Sequence, residues 1–98
     1  MEVIKKIDLS SIEEFMKEIV ASSSQIKLLQ EELEDVILHA NENEKLFSAG
    51  KISKEVYKEN KARLIKEKNQ LRKKINVELS KLIKIINETK KLMEANRI

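Results

Sequence analysis

The segment Leu46-Phe-Ser-Ala-Gly50-Lys-Ile-Ser-Lys-Glu-Val-Tyr57 decides the fold of this chain. Gly50 is the only glycine among 98 residues, and proline is absent. A glycine between two long helix-forming segments is typical of a left-handed helix C-terminus, and Ser53 has a side chain suited to N-capping a following helix. We therefore predict a first helix over residues 10–49, a turn over 50–53 and a second helix over 54–96, preceded by an N-terminal segment, 1–9.

Both predicted helices carry apolar residues at alternating spacings of three and four, which places them on one stripe of each helix. Folding at 50–53 brings positions whose numbers sum to about 104 opposite each other. The chain is therefore predicted to be all-α, a single domain (1–98) formed by a long antiparallel helical hairpin, which could assemble further into a multi-helix bundle. The stripe of the first helix contains Ile12, Phe15, Ile19, Ser22, Ile26, Leu29, Leu33, Val36, Ala40, Asn43 and Phe47, and that of the second contains Tyr57, Lys61, Leu64, Lys68, Leu71, Ile75, Glu78, Leu82, Ile85, Thr89 and Leu92.

This register pairs Leu29 with Ile75 and Phe47 with Tyr57, but it sets Glu78 opposite Ile26 as a mismatch. Lys61 and Lys68 must extend their ammonium groups out of the stripe. At its edges it joins Glu44 to Lys58 and Glu32 to Lys74, opposite charges that help to select the register.

The charge distribution supports the same pairing. Residues 1–49 hold 5 Lys/Arg and 11 Asp/Glu, a net charge of −6, whereas residues 50–98 hold 15 and 6, a net charge of +9. Two halves of opposite charge attract each other when they lie side by side.

Two local patterns leave alternatives for the first helix. Ser11 followed by Glu14 has the spacing of a capping box. Ser22, Ser23 and Ser24 offer competing hydrogen bonds to the backbone, so the helix either runs through them, which we favour, or breaks there to give three helices.

Nothing in the sequence indicates an enzyme or a cofactor. Cysteine is absent and His39 is the only histidine, so thiolate and multi-histidine metal sites are excluded. The acidic residues at 31, 32, 34 and 35 could attract a hard cation, but neighbouring helical positions point in different directions. We predict a non-enzymatic protein without metal or cofactor.

An apolar edge beside the stripe is the predicted site of partner binding. A two-helix pair would leave this edge wet, and contiguous exposed apolar side chains mark interaction sites. We expect a protein partner to bind there through helix packing, in a homo-oligomer or a hetero-complex. The alternative is that Val3, Ile4, Ile7 and Leu9 cover part of it. The edge, called the apolar edge below, comprises Met16, Ile37, Ile65, Leu79, Ile86 and Met93, with Val77 and Ile83 nearby.

A basic set on the second helix offers the alternative function, nucleic-acid binding. Residues 51–74 hold ten Lys/Arg and three Glu, and cationic helices bind phosphates. Apolar residues interrupt this region and the acidic first helix would lie beside it, so we favour a protein over nucleic acid as the partner. Peripheral contact with anionic lipid is a further alternative. The set comprises Lys66, Lys68, Arg72, Lys73 and Lys74.

The stretch from Leu46 to Ile75 resembles the helical hairpins of the ESCRT-I core, those of the steadiness box and of the Mod(r)-type subunit. The residues that carry the resemblance are Gly50, Ile52, Val56, Tyr57 and the triplet Gln70-Leu-Arg72. The resemblance implies a scaffold hairpin that packs against the hairpins of other subunits in membrane remodelling, sorting or cell division. It implies no catalytic activity.

The sequence also bears on location. No run of 18 apolar residues is present, and the first nine residues lack the apolar core of a signal peptide. We therefore expect a cytoplasmic protein.

Overall fold

The computed structural model describes residues 9–95 and shows an α-helical hairpin. Helix α1 spans Leu9–Ser48 and helix α2 spans Lys54–Ala95. The predicted all-α hairpin is thus confirmed, and the helix ends at the turn, Ser48 and Lys54, lie within one residue of their predicted positions. The idea that residues 1–9 cover part of the apolar edge concerns a segment that lies, apart from Leu9, outside the described residues.

The turn between the helices is a Schellman motif centred on Gly50. Gly50 has a φ of 69°, the left-handed conformation that L-residues with a Cβ avoid. The N–H of Lys51 donates to the carbonyl oxygen of Leu46 over 2.8 Å, and the N–H of Gly50 donates to that of Phe47 over 3.0 Å. These two bonds satisfy carbonyls that the end of α1 would otherwise leave without helical partners.

The N-termini of the two helices differ in how well the sequence predicts them. The Oγ of Ser53 accepts a 3.1 Å hydrogen bond from the N–H of Val56, which confirms Ser53 as the N-cap of α2. By contrast, Ser11 is a helical residue of α1, which includes Leu9 and Ser10 before it, so Ser11 is not the N-cap that its spacing to Glu14 predicted.

Helix α1 runs without interruption through Ser22, Ser23 and Ser24, so the three-helix alternative is wrong. Ser22 is buried, while Ser23 and Ser24 are exposed. A helix can contain serines where their hydroxyl groups bond to tertiary partners or to water. Ser22 has such a partner on α2, described below.

The hairpin divides into two compact parts. The central part, Lys27–Asn76, contains the better-packed core, in which Leu33 and Ala40 pack against five buried side chains. Leu29, Leu71 and Ile75 lie in this one cluster, as the predicted register requires. The five buried side chains are Leu29, Val36, Leu64, Leu71 and Ile75.

The terminal part comprises residues 9–26 and 77–95. The Ser22 hydroxyl lies 3.3 Å from the Glu78 carboxylate and 3.4 Å from the Glu78 main-chain carbonyl oxygen. The Glu78 carboxylate also forms an ion pair with Lys81, whose Nζ lies 3.4 Å from Glu78 Oε1. The expected mismatch at Glu78 is therefore resolved by a serine on α1 and a lysine on α2.

Candidate docking surface

A buried asparagine fixes the two helices near the turn. Asn43 is 5% exposed, and its Nδ2 donates to the carbonyl oxygen of Tyr57 over 3.1 Å. The Nδ2 of Asn60 donates to the Oδ1 of Asn43 over 3.0 Å. A hydrogen-bonded asparagine in an apolar seam disfavours slipped registers, because any slip leaves its buried polar atoms without partners.

Next to this asparagine, an aromatic and charged cluster closes the seam. The rings of Phe47 and Tyr57 stack with centroids 4.2 Å apart and an interplanar angle of 14°, which confirms their predicted pairing. The Tyr57 hydroxyl donates to Glu44 over 2.7 Å, and Lys61 Nζ lies 3.8 Å from the same carboxylate. The hydrogen bond between Lys61 and Tyr57, and then the charge of Glu44, raise the pKa of Lys61.

This cluster corrects one predicted edge pair. Glu44 pairs with Lys61 and Tyr57, where the sequence predicted Lys58. The ammonium group of Lys61 leaves the apolar stripe, as expected, and meets the nearest carboxylate as it does so. Glu32 and Lys74, the other predicted edge pair, line one shallow groove but form no ion pair among the described residues.

The six residues of the apolar edge are all exposed, to between 39% and 58%. In the central part, Ile37 on α1 and Ile65 on α2 line one open groove of about 260 Å³. Buried Val36 and Leu64 are among the residues at its base. This groove has room for a few aliphatic side chains of a partner.

The other four residues of the apolar edge belong to the terminal part. Met16 lies on α1, and Leu79, Ile86 and Met93 follow one another at seven-residue intervals on α2. Seven residues are close to two helical turns, so these three side chains lie along one side of α2.

The sequence reasoning missed Val20, which is 64% exposed. Val20 follows Met16 by four residues and so lies on the same side of α1. Ile83 stands in the same relation to Leu79 and is also exposed. Val77 is exposed too, but it precedes Leu79 by two residues, or roughly 200° of rotation, and faces another direction.

The five basic residues do not form one surface. Lys66, Arg72, Lys73 and Lys74 are exposed, while Lys68 is half-buried beside the groove of Ile37 and Ile65. Positions 72, 73 and 74 are consecutive on α2, so their side chains diverge by about 100° at each step. Their charges are therefore distributed around the helix.

The described residues contain no group of three side chains able to hold a metal ion, and neither helix within residues 9–95 is long and apolar enough to cross a membrane. No protein-family model, curated protein or solved structure matches the chain. The geometry of its surface is therefore the basis for a functional proposal.

Proposed function

We propose that this protein is a non-enzymatic interaction module, a helical hairpin that binds helices of partner proteins along the apolar edge and acts as a scaffold or assembly subunit in the cytoplasm. The observation that supports it is the exposure of all six predicted edge residues. Burying a half-exposed Leu, Ile or Met side chain contributes on the order of 1 kcal/mol, so several together can support a stable interface.

The helix side that carries the apolar edge is less polar than the side opposite to it, so we expect partner helices to bind on the side of the apolar edge. In each part of the hairpin, the helix side opposite the apolar edge carries charged and amide side chains, most of them exposed. The opposite side comprises Glu18, Gln25, Glu32 and His39 on α1 and Glu67, Lys74, Lys81 and Glu88 on α2.

The resemblance to ESCRT-I hairpins leads us to propose a helical hairpin of another subunit as the partner, in membrane remodelling, sorting or cell division. Two features of the turn are compatible with this proposal. Gly50 adopts the left-handed conformation, and Tyr57 stacks in the seam three residues into α2. The stretch that carries the resemblance is thus the stretch that closes the hairpin.

Capture from native lysate at about 150 mM salt tests the proposal, with the captured proteins identified by mass spectrometry. The variant Ile37→Glu with Ile65→Glu introduces charge into the groove of the central part and should lose the partner. A matched control, Leu28→Glu with Leu38→Glu, changes two exposed aliphatic residues of α1 and should retain it.

A third variant, Lys66→Ala with Arg72→Ala and Lys73→Ala, tests the competing function. Nucleic-acid binding weakens steeply with salt, because every phosphate contact releases counterions. Salt-sensitive binding of duplex DNA or RNA that this variant abolishes, and that the groove variant leaves intact, contradicts the proposal. Binding of the parent protein to anionic lipid vesicles that this same variant abolishes identifies a membrane contact instead.

A further inference from the structure

The terminal part of the hairpin packs its own seam poorly. Among its described residues only Ser22 and Ile26 are buried. The other apolar seam side chains there are half-buried, whereas five are buried in the central part. Two helices alone therefore do not enclose the apolar residues of the terminal part. The half-buried seam residues are Ile12, Phe15, Ile19, Leu82, Ile85 and Leu92.

The same part carries a second apolar seam. On α2, Leu79, Ile83, Ile86, Lys90 and Met93 repeat with spacings of four and three residues, and four of the five are apolar and exposed. On α1, the corresponding series is Glu13, Met16, Val20 and Ser23, all exposed. A 3-4 repeat is the pattern of a helix that packs against another helix.

The second seam lies about 100° around each helix from the first. Each of its residues follows one residue of the first seam by one or four positions; those first-seam residues are Ile12 and Ile19 on α1 and Ile75, Leu82 and Thr89 on α2. A helix with two seams about 90–100° apart fits the corner of a square four-helix bundle, in which it contacts two neighbours. One hairpin supplies two such corners. Two further helices complete the bundle.

A second copy of this chain carries charges that complement those of the second seam. The Ser22–Glu78 contact joins residues whose numbers sum to 100, so positions in the terminal part whose numbers sum to within three of that value lie within about one helical turn of the same level. A second copy rotated by 180° about an axis along the helices sets its α2 against α1 of the first copy at matching levels. The pairs that meet between copies are then Glu13 with Lys90, Met16 with Ile86, Val20 with Ile83, and Ser23 with Leu79.

In this arrangement Glu13, the one acidic residue among the described positions of the second seam, meets Lys90, the one basic residue there, and Ser23 meets Leu79. Both relations occur twice, as a two-fold interface requires. The six exposed apolar side chains supply roughly 300 Å² per copy at about 50 Å² each. Two copies give roughly 600 Å² of apolar surface, and with apolar surface at about two thirds of the interface the total is roughly 900 Å², the size of a weak, reversible interface.

We propose that two copies of this chain associate through the second seam of their terminal parts, with α1 of each copy packed against α2 of the other. The proposal rests on the proposed function, since it names the partner for one part of the apolar edge. It leaves the groove of Ile37 and Ile65 free for a different protein.

Sedimentation equilibrium of the full chain between about 1 and 200 μM tests the association. We expect a dimer of the 11.4 kDa chain. The variant Met16→Glu with Ile86→Glu should raise the dimer dissociation constant at least 100-fold, while circular dichroism shows unchanged helicity under conditions where both proteins are folded. The control Leu28→Glu with Leu38→Glu adds the same charge to the central part and should leave the constant unchanged.

Charge reversal tests the arrangement. Glu13→Lys and Lys90→Glu should each weaken the dimer about 3- to 10-fold, and the double reversal should restore it. A chain that remains monomeric at 200 μM overturns the inference, whether the face is open or covered by residues 1–8. So does a dimer insensitive to both charge reversals, or one that the control variant dissociates equally.

These outcomes separate this inference from the proposed function. A monomer that still captures a protein through Ile37 and Ile65 contradicts the dimer and leaves the interaction module intact. A dimer that captures nothing through that groove contradicts the proposed function alone.

Discussion

The side chains of Asn43 and Asn60 are joined across the helical seam by a 3.0 Å hydrogen bond, and Asn43 donates its own amide to the carbonyl oxygen of Tyr57. Asn43 on α1 thus holds the side chain of Asn60 and the main chain of Tyr57, both on α2. Since Asn43 is buried, removing its amide takes one hydrogen-bond partner from the Asn60 side chain and one from the Tyr57 carbonyl oxygen in a partly buried site.

We therefore expect Asn43→Ala to lower the free energy of unfolding by about 1–3 kcal/mol. Asn41→Ala, two residues away on the exposed surface of the same helix, should change it by no more than about 0.5 kcal/mol. Urea denaturation followed by circular dichroism, at one fixed protein concentration, measures both. Equal effects of the two substitutions would show that the asparagine layer contributes nothing specific.

Two adjacent leucines provide a direct test of the seam. Leu29 is 4% exposed and belongs to the core cluster of the central part, whereas Leu28 is 55% exposed. Leu29→Ala should destabilise the protein by about 2–5 kcal/mol, because it removes buried methyl groups and leaves a cavity. Leu28→Ala should have an effect within about 0.5 kcal/mol. Comparable losses for the two variants would place the seam on a different side of α1.

The 3-4 spacing predicted which residues of the central part lie in the core because it depends only on the helix repeat. Leu29, Leu71 and Ile75 lie in one cluster and Phe47 stacks on Tyr57, as that spacing requires. Gly50 was equally predictable, since its left-handed φ follows from its position after a long helix.

The errors concern side chains whose direction the repeat does not determine. Glu44 bonds to Tyr57 and Lys61 where Lys58 was expected, because long charged side chains choose among several partners within reach. Glu78 finds a hydroxyl partner in Ser22, a relation between residues 56 positions apart. Val20 was missed because it lies outside the first repeat, although its four-residue spacing from Met16 could have revealed it.

Gly50 gives a test of the turn. A Cβ at this position would meet no other atom within 4 Å, so the penalty of Gly50→Ala comes from the backbone alone. With a φ of 69°, we expect a loss of about 1–2 kcal/mol.

Gly50→Asn should lose less than Gly50→Ala, because asparagine adopts the left-handed conformation more readily than alanine does. Thermal denaturation ranks the two variants against the parent protein. The reverse order, with alanine better tolerated than asparagine, would contradict a left-handed Gly50.

The cluster at Tyr57 makes a prediction about a pKa. The hydrogen bond from Lys61 to the Tyr57 hydroxyl is the largest cause that raises the pKa of Lys61, and the charge of Glu44 is a smaller one. Tyr57→Phe keeps an aromatic ring to stack on Phe47 but removes the hydroxyl. It should therefore lower the pKa of Lys61, and by more than Glu44→Gln does. An NMR titration of the lysine side-chain amines measures the difference, and a larger effect of Glu44→Gln would reverse the assignment.

The pair Ser22 and Glu78 yields the last prediction. Glu78 carries a carboxylate in the seam, its side chain is only 21% exposed, and the Ser22 hydroxyl lies within 3.3 Å of it. Replacing a largely buried polar pair by apolar side chains is often neutral or stabilising, whereas removing the Ser22 hydroxyl takes one of its hydrogen bonds from the Glu78 carboxylate, which keeps its contact with Lys81. Ser22→Ala alone should therefore lower the free energy of unfolding by about 1 kcal/mol.

Glu78→Leu added to Ser22→Ala should recover that loss and leave the protein at least as stable as the parent. The two substitutions should be non-additive by about 1 kcal/mol in a double-mutant cycle, because they act on one contact. Ser24→Ala with Glu88→Leu changes exposed residues of the same types and should be additive. Denaturation at one protein concentration gives both cycles. A double variant less stable than Ser22→Ala alone would mean that the Glu78 carboxylate stabilises the seam without Ser22.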